Sequence, residues 1–382
     1  MSAITTRPAV RSRWQTDSWP DGGARPGPAM AVIGIATVAA LVLRFYFLSR
    51  PGRLLGVGGF DDGIYFGSAV RLVHGVLPYR DFVSAQPPMI MLVMAPAALV
   101  SKLTGTAWGM AIGRILTGLA SAAAVTLAGL LVRHRGLLAV TVAGTIMAVY
   151  PGSLIAAHSV MVEPWLVLFT LTGAVTLFDG DRLAASRRRL VWGGAFIGIA
   201  GATEAWAVFP FVVLLALAIL AGRSSGRFRR AGLVAAGAAG GFALPVLPFA
   251  VAAPHGLYQD LITSQVIIVP APTPMWHRLR VMSGSWHLVH LGNGAVLAVS
   301  IGIVAVVIAA SVTASAISRR PPPPLEAFAL AAAALVVAGF CWYPLFYPHF
   351  AAFLAPFLAL SLAVPVSRLV TAARAASGRR GA

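Results

Sequence analysis

The chain has 382 residues, of which 58% are hydrophobic and 10% are charged, and its formal net charge is +18. Soluble globular domains contain about 25% charged residues, so this composition excludes an ordinary soluble protein. The basic residues lie in short patches between apolar runs, which argues against nucleic-acid binding and for a membrane protein. The single cysteine excludes an internal disulfide and a cysteine metal site.

The apolar segments, taken in chain order, predict an all-α polytopic membrane protein with about ten transmembrane helices and a helical first extracytoplasmic loop. Residues 1–28 are rich in Arg, Pro and Gly and are predicted to be a disordered cytoplasmic tail. The predicted spans lie at 29–48, 108–132, 136–151, 162–178, 190–203, 206–222, 231–252, 293–314, 325–343 and 349–366. The run 88–103 is predicted to be a short interfacial or re-entrant helix. Residues 29–366 would form one integral membrane domain, followed by a basic cytoplasmic tail at 367–382.

The charge distribution predicts the orientation. With both termini in the cytoplasm, most of the 29 basic residues fall on the cytoplasmic side, as the positive-inside rule requires. The two longest loops, 49–88 and 253–292, then lie outside, together with seven of the eight histidines. Titratable chemistry is therefore expected at the outer face of the cell membrane.

The first outer loop contains an acidic pair, Asp61 and Asp62, before a predicted helix from Gly63 to His74. In one interpretation Asp61 caps this helix and Asp62 favours its dipole. In the other, repulsion and partial burial raise the pKa of one carboxylate, which then acts as a general base. A base that removes a proton from a hydroxyl would imply group transfer.

Tyr79, Arg80 and Asp81 follow in the same loop. Arg80 is suited to neutralising a phosphate and Tyr79 to stacking on a sugar, but an Arg80 to Asp81 surface pair that stabilises a turn explains the pattern equally well.

Three further polar residues lie near predicted outer span ends. Glu163 precedes Pro164, which predicts a helix start, so Glu163 is either a helix-dipole acid or a second carboxylate that orients the acceptor or the catalytic loop. His158 is a candidate phosphate contact or an ordinary hydrogen-bonded histidine. Glu204 is a candidate functional acid or a solvated turn residue.

The second outer loop and the last span add candidates of lower specificity. Arg278 lies beside Trp276 and His277 in a Pro-rich run, which suits a lipid phosphate or headgroup anchoring. Tyr347 and His349 suit an aromatic belt or a sugar or phosphate contact. The outer histidines lack the spacing of a zinc site, so no structural metal and no certain cofactor are predicted, and a divalent cation shared with a diphosphate is left open.

Several of these features together resemble the GT-C membrane glycosyltransferases, in particular the branch related to the aminoarabinose transferases and protein O-mannosyltransferases. They are the apolar anchor, the acidic pair, Tyr65, the stretch GVLPYRDF at 75–82, Arg114, AHSVMVEPW at 157–165 and YPHF at 347–350. The resemblance implies that Asp61 or Asp62 is the catalytic base and that the donor sugar is carried on a polyprenyl phosphate. Two departures are Glu204, where many relatives carry lysine, and the lack of a counterpart to the family's large soluble C-terminal domain.

The resemblance thus implies inverting transfer of a sugar to a hydroxyl of a lipid, glycan or protein. Arg80, Arg114 and Arg278 would stabilise the departing phosphate, and Glu163 would support the site. A transporter or flippase of a lipid-linked sugar is the main alternative, but the acids cluster at one interface rather than at the midplane and no internal repeat is found. A non-catalytic membrane scaffold is the third interpretation.

Overall fold

A computed structural model describes residues 26–56, 58–220, 226–264, 272–288 and 290–378. The described chain is almost wholly helical, and its one small sheet is the antiparallel pair β1 (Phe178–Asp179) and β2 (Arg182–Leu183). The helices are α1 (Pro26–Leu48), α2 (Phe60–Val73), α3 (Met89–Thr104), α4 (Thr106–Val132), α5 (Leu137–Val149), α6 (Pro151–Ala156), α7 (Glu163–Leu177), α8 (Arg187–Gly201), α9 (Val208–Leu220), α10 (Arg227–Ala252), α11 (Pro254–Tyr258), α12 (Met275–Met282), α13 (Asn293–Ser318), α14 (Pro324–Trp342) and α15 (Ala355–Gly378).

Six of the described helical segments are long and apolar enough to cross a membrane, and four shorter apolar helices accompany them. The predicted all-helical polytopic fold is therefore confirmed, whereas the count of ten spans and the cytoplasmic location of the termini stay predictions. Helix α1 begins at residue 26 rather than 29, and α15 continues past the predicted end at 366. The tail prediction for residues 1–25 and 379–382 lies outside the described residues.

Glycines allow a tight turn between two helices and a close approach of two others. Gly105, with φ +87°, ends α3 and starts α4, a left-handed conformation that glycine adopts without steric cost. Between α8 and α10 the backbones touch, because a Cβ atom placed on Gly198 would lie 2.0 Å from the carbonyl oxygen of Ala238. A Cβ on Gly241 would lie 2.0 Å from the carbonyl oxygen of Ala195. Small residues at such helix contacts are typical of membrane proteins, where dispersion rather than the hydrophobic effect holds helices together.

Two buried polar contacts lie within the bundle. Arg44 on α1 is fully buried and donates hydrogen bonds to Ser121 on α4 and to the carbonyl oxygens of Met147 and Ala148 on α5. Arg368 on α15 forms a buried ion pair of 2.6 Å with Glu326 on α14. Unpaired charges are costly in an apolar interior, so each of these contacts fixes the relative position of the helices it joins.

The described residues of the predicted first outer loop are folded onto the bundle rather than extended into solvent. Helices α2 and α3 pack against each other and α3 against α4, and a separate apolar core forms beneath them around Phe66, Met91 and Met94. The backbone N–H of Met89 also donates to the carbonyl oxygen of Ala202, which ties the end of the loop to the turn after α8. This packing brings Asp61 towards α7 and the segment before the last helix, and it brings Asp62 against α4.

Candidate active site

The acidic pair lies in the first turn of α2, two and three residues after the N-cap. Gly59 is the N-cap and the helix begins at Phe60, three residues before the predicted start. Asp61 therefore does not cap the helix, and that part of the prediction is wrong, whereas Asp62 lies in the first turn, as the helix-dipole interpretation predicted. The side chain of Asp62 instead accepts a hydrogen bond of 3.0 Å from the backbone N–H of Gly59.

Asp62 is held inside the protein. Its side chain is 1% exposed and forms an ion pair of 2.9 Å with Nη2 of Arg114, and the hydroxyl of Ser159 donates to the same carboxylate oxygen. Burial alone would raise the pKa of Asp62, but the hydrogen bonds from Ser159, Arg114 and Gly59 outweigh it and lower the pKa. Asp62 is thus an ionised structural carboxylate, without the raised pKa that the sequence interpretation required of a base.

Arg114 is also a structural residue in this geometry. Its Nη1 donates to the carbonyl oxygens of Arg53, Leu54 and Gly56 at 2.9, 2.7 and 2.8 Å, and its Nε donates to Ser159. The guanidinium is 1% exposed, so it joins the loop after α1, the start of α2 and the segment before α7. The predicted contact of Arg114 with a departing phosphate finds no support in this arrangement.

Asp61 points the other way, into a second group of polar side chains. Its side chain is 32% exposed, and Oδ2 lies 4.0 Å from Nε2 of His349. The same histidine nitrogen lies 3.6 Å from Oε1 of Glu163. The fold therefore brings together three sequence-predicted residues from the first loop, α7 and the start of the last span.

We define these three residues together with Glu204 as the acidic cluster, which therefore consists of Asp61, Glu163, Glu204 and His349. The carboxylates of Glu163 and Glu204 are buried. Glu163 is fully buried in the first turn of α7, and neither of its oxygens has a hydrogen-bond partner among the described residues. Glu204 is 7% exposed, its Oε2 is likewise unpartnered, and burial together with the charge of Glu163 raises its pKa well above the usual range. Glu204 is therefore not a solvated turn residue. Buried polar atoms without partners are rare, so these oxygens indicate a place for a ligand that donates hydrogen bonds.

Tyr65 lies one helical turn after Asp61 on the same face of α2 and borders the cluster. Burial, followed by the charges of Glu204, Glu163 and Asp61, raises the pKa of its phenol, and Gln86 forms a side-chain hydrogen bond with it. The phenol is therefore neutral and available as a hydrogen-bond donor.

Aromatic rings lie beside the acidic cluster. The ring of His349 stacks parallel to that of Tyr347 at 5.5 Å, and Trp206 packs edge-on against Tyr343 at 5.5 Å and against Phe350 at 5.9 Å. Carboxylates beside aromatic rings suit a sugar, whose hydroxyls donate hydrogen bonds while its C–H faces stack on the rings. Trp206, Ser159 and Gln86 were not predicted from the sequence as site residues. Trp206 and Ser159 each lie within two residues of a predicted site residue, which was the available signal.

The motif at Tyr79 to Asp81 lies apart from the cluster. Arg80 and Asp81 form an exposed pair at 2.9 Å, and Asp81 also accepts from the backbone N–H of Leu77 at 2.8 Å, as expected of a turn-stabilising pair. Tyr79 is 5% exposed, has φ +65° and donates its hydroxyl to the carbonyl oxygen of Gln86 at 2.7 Å. Its buried ring packs edge-on against Phe249 at 6.2 Å, and its stacking on a sugar stays a prediction.

Arg278 and His158 are likewise engaged. Arg278 is 3% exposed and donates to the carbonyl oxygens of Thr273, Phe340, Tyr343 and Pro344, so it clamps the segment that leads to the YPHF motif. His158 stacks on Phe47 at 3.6 Å, and burial and the nearby charges of Arg44, Arg53 and His287 lower its pKa to about 4. His158 is thus neutral at pH 7 and contributes no positive charge to a phosphate site.

Within the part of the chain that the structure describes, no three His, Cys, Asp or Glu side chains are arranged to hold a metal ion. The divalent cation left open by the sequence stays a prediction.

Comparison with known proteins assigns the fold. No protein-family model and no curated sequence matches the chain. Solved structures do match. ArnT from Cupriavidus metallidurans bound to undecaprenyl phosphate superposes with a TM-score of 0.60 at 18% identity, over 90% of this chain and 60% of that one. The oligosaccharyltransferase AglB from Archaeoglobus fulgidus, in complex with an inhibitory peptide and a dolichol-phosphate, gives a TM-score of 0.58 at 17% identity, over 89% and 50%.

Both solved proteins are GT-C superfamily members, so the chain has the GT-C membrane fold, and the resemblance seen in the sequence is confirmed at that level. The chain spans about 60% of the length of ArnT and about half that of AglB.

Proposed function

We propose that the chain is a membrane glycosyltransferase that moves a sugar from a polyprenyl-phosphate donor to an acceptor hydroxyl at the extracytoplasmic face of the cell membrane. The GT-C fold supports this class of reaction, because matching proteins were solved with undecaprenyl phosphate and dolichol-phosphate. A lipid-linked donor would be delivered within the membrane, so the chain would need no soluble nucleotide-binding domain.

The observation that carries the proposal is the different environment of the two adjacent aspartates. Asp62 is buried against Arg114, whereas Asp61 is partly exposed and faces two unpartnered buried carboxylates and His349. A general base must reach the acceptor proton, so we assign that role to Asp61 and a positioning role to Asp62.

In the proposed step, Asp61 takes the proton of the acceptor hydroxyl while the hydroxyl oxygen attacks the anomeric carbon of the donor sugar. The bond from that carbon to the phosphate oxygen breaks on the opposite side, and the electron pair leaves with the polyprenyl phosphate. One displacement inverts the anomeric configuration. Glu163 and Glu204 accept hydrogen bonds from sugar hydroxyls, and the neutral phenol of Tyr65 donates one.

The test is transfer by the purified chain in vesicles, measured with a panel of polyprenyl-phosphate-linked sugars. The wild-type chain should transfer at least one of them, and Asp61→Asn should lower the rate by at least a hundredfold at equal protein level. Asp179→Asn is the matched control, because Asp179 is 77% exposed on the β1 to β2 hairpin and pairs only with Arg189 in the described chain. Full activity of Asp61→Asn would remove the base assignment, and no transfer from any donor would remove the proposed function.

A further inference from the structure

A groove runs along the face of α2 that points away from the acidic cluster. Residues two positions apart on a helix face nearly opposite sides, so Gly63 and Gly67 point away from the side that carries Asp61 and Tyr65. The groove has a volume of about 470 Å³ and lies between α2, the loop after α1 and the first turns of α4. This volume is within the range of about 300 to 1,000 Å³ that is typical of ligand pockets.

The surface of this groove is mainly apolar. Leu55, Phe66, Val70 and Met110 line it, and its two charged wall residues near α4, Asp62 and Arg114, neutralise each other in a buried pair. Helix α4, which is long and apolar enough to cross a membrane, forms one side of the groove, so the groove would lie at the border of the membrane. In that position an apolar groove is filled by hydrocarbon more favourably than by water.

The glycines of α2 keep the groove open without being required by packing within the chain. A Cβ atom on Gly63 or Gly67 would have no heavy atom within 4 Å. Across the contact on α4, by contrast, a Cβ on Gly109 would lie 2.8 Å from the ring of Phe66, and one on Gly113 would lie 3.0 Å from Val160. Glycine inside a helix is unfavourable relative to alanine, so two uncrowded glycines on one face are better explained by a molecule outside the chain.

One end of the groove is positively charged. Arg71 is exposed there, lies over the ring of Phe82 at 5.0 Å and forms no ion pair with any described carboxylate. Thr106 and Ala107, the first residues of α4, line the same groove, and α4 has no side-chain cap on its N-terminal N–H groups. A cation beside the positive end of a helix dipole favours an anion such as a phosphate.

We propose that this α2 to α4 groove binds one acyl chain of an anionic phospholipid, whose phosphate lies against Arg71. The ligand is a structural lipid of the membrane and not the sugar donor, because the groove and the acidic cluster lie on opposite faces of α2. The bound lipid would press on the segment that holds Asp61, and would thereby stabilise the arrangement of the first loop.

The experiment is photo-crosslinking of the purified full chain in phosphatidylcholine vesicles that contain a small fraction of phosphatidylglycerol with a photoreactive acyl chain. Mass spectrometry should place the label on α2 and the first turns of α4. The variant Gly63→Leu, Gly67→Leu should lower this labelling at least tenfold, because it fills the groove without meeting a neighbour. Gly302→Leu is the matched control, since Gly302 on α13 also has nothing within 4 Å, and it should label as the wild type does.

Two further arms test the headgroup and the identity of the ligand. Arg71→Gln should lower labelling by phosphatidylglycerol about fivefold and leave labelling by a photoreactive phosphatidylcholine unchanged. Equal labelling of the wild type by both lipids, or unchanged labelling of the double leucine variant, would overturn the proposal. Displacement by added undecaprenyl phosphate would also overturn it, because the groove would then belong to a polyprenyl lipid. The readout is binding, so its outcome is separate from whether the chain transfers sugar.

Discussion

Replacing each of the two adjacent aspartates by asparagine should separate stability from activity. Asp62 and Arg114 are each 1% exposed and form a 2.9 Å ion pair, and removing one partner of a buried pair costs about 3–5 kcal/mol. Arg114 keeps Ser159 and three carbonyl oxygens as acceptors, so the loss for Asp62→Asn should fall near the lower end of that range. Among the described residues, Asp61 has no ion-pair partner closer than the 4.0 Å contact with His349, so Asp61→Asn should change the free energy of unfolding by less than about 0.5 kcal/mol.

The assay is unfolding of the purified variants in detergent, followed by the loss of helical circular dichroism. Arg114→Met and the double variant Asp62→Asn, Arg114→Met complete a double-mutant cycle. Since the two side chains are in contact, the double variant should lose clearly less stability than the two single variants added together.

Equal stability of Asp61→Asn and Asp62→Asn would refute the assignment of Asp62 as the structural member of the pair. So would additive losses in the cycle, since they would show that Asp62 and Arg114 do not interact as the geometry indicates.

Three other outcomes are expected. Arg278→Met should lower the free energy of unfolding by at least about 2 kcal/mol, because four carbonyl oxygens lose a charged donor. Arg280→Met should have a smaller effect, because among the described residues it removes a donor only from the carbonyl oxygen of Leu291. Similar melting temperatures of the two variants would contradict the role of Arg278 in holding the segment before the YPHF motif. The pKa values of Asp62 and Asp181 are lowered by folding, so their stabilising contribution is complete above their unfolded pKa of about 3.9 and is lost as the pH falls through the folded values. As the pH is lowered below about 4, the melting temperature should therefore fall. Asp181→Asn removes one of these groups, so the melting temperature of that variant should fall less steeply with pH. Glu163→Gln should leave the melting temperature unchanged or raise it, because a neutral amide is less costly to bury than a carboxylate without partners. The rate of sugar transfer should fall at least tenfold. A less stable but fully active variant would show that Glu163 is structural.

The fold class could be predicted from the sequence because a membrane imposes strong local rules. Each span must be a run of apolar residues, since its backbone can satisfy its hydrogen bonds only as a helix. Local chemistry also placed the start of α7, where Glu163 and Pro164 occupy the first turn as predicted. The start of α2 was predicted three residues late, because the acidic pair was interpreted as a cap rather than as part of the first turn.

The division of roles within the site could not be predicted in the same way. Arg80 and Arg278 were predicted to contact the phosphate from their place in the loops, and Arg114 was predicted from the family resemblance. Arg114 and Arg278 are nevertheless buried and donate to other parts of the chain. The amino-acid sequence reveals where a charged residue lies along the chain, but not which acceptor it contacts after folding. For the same reason Ser159 was not predicted as a site residue, although its hydroxyl donates to the carboxylate of Asp62.

The membrane class, the helical architecture and the acids and aromatic residues available for a site depend on local composition and spacing, so they can be inferred from the amino-acid order. The different surroundings of Asp61 and Asp62 arise only when distant segments pack together. Adjacent residues on a helix lie about 100° apart, so one carboxylate faces Arg114 and the other faces Glu163 and His349, from segments distant in the chain.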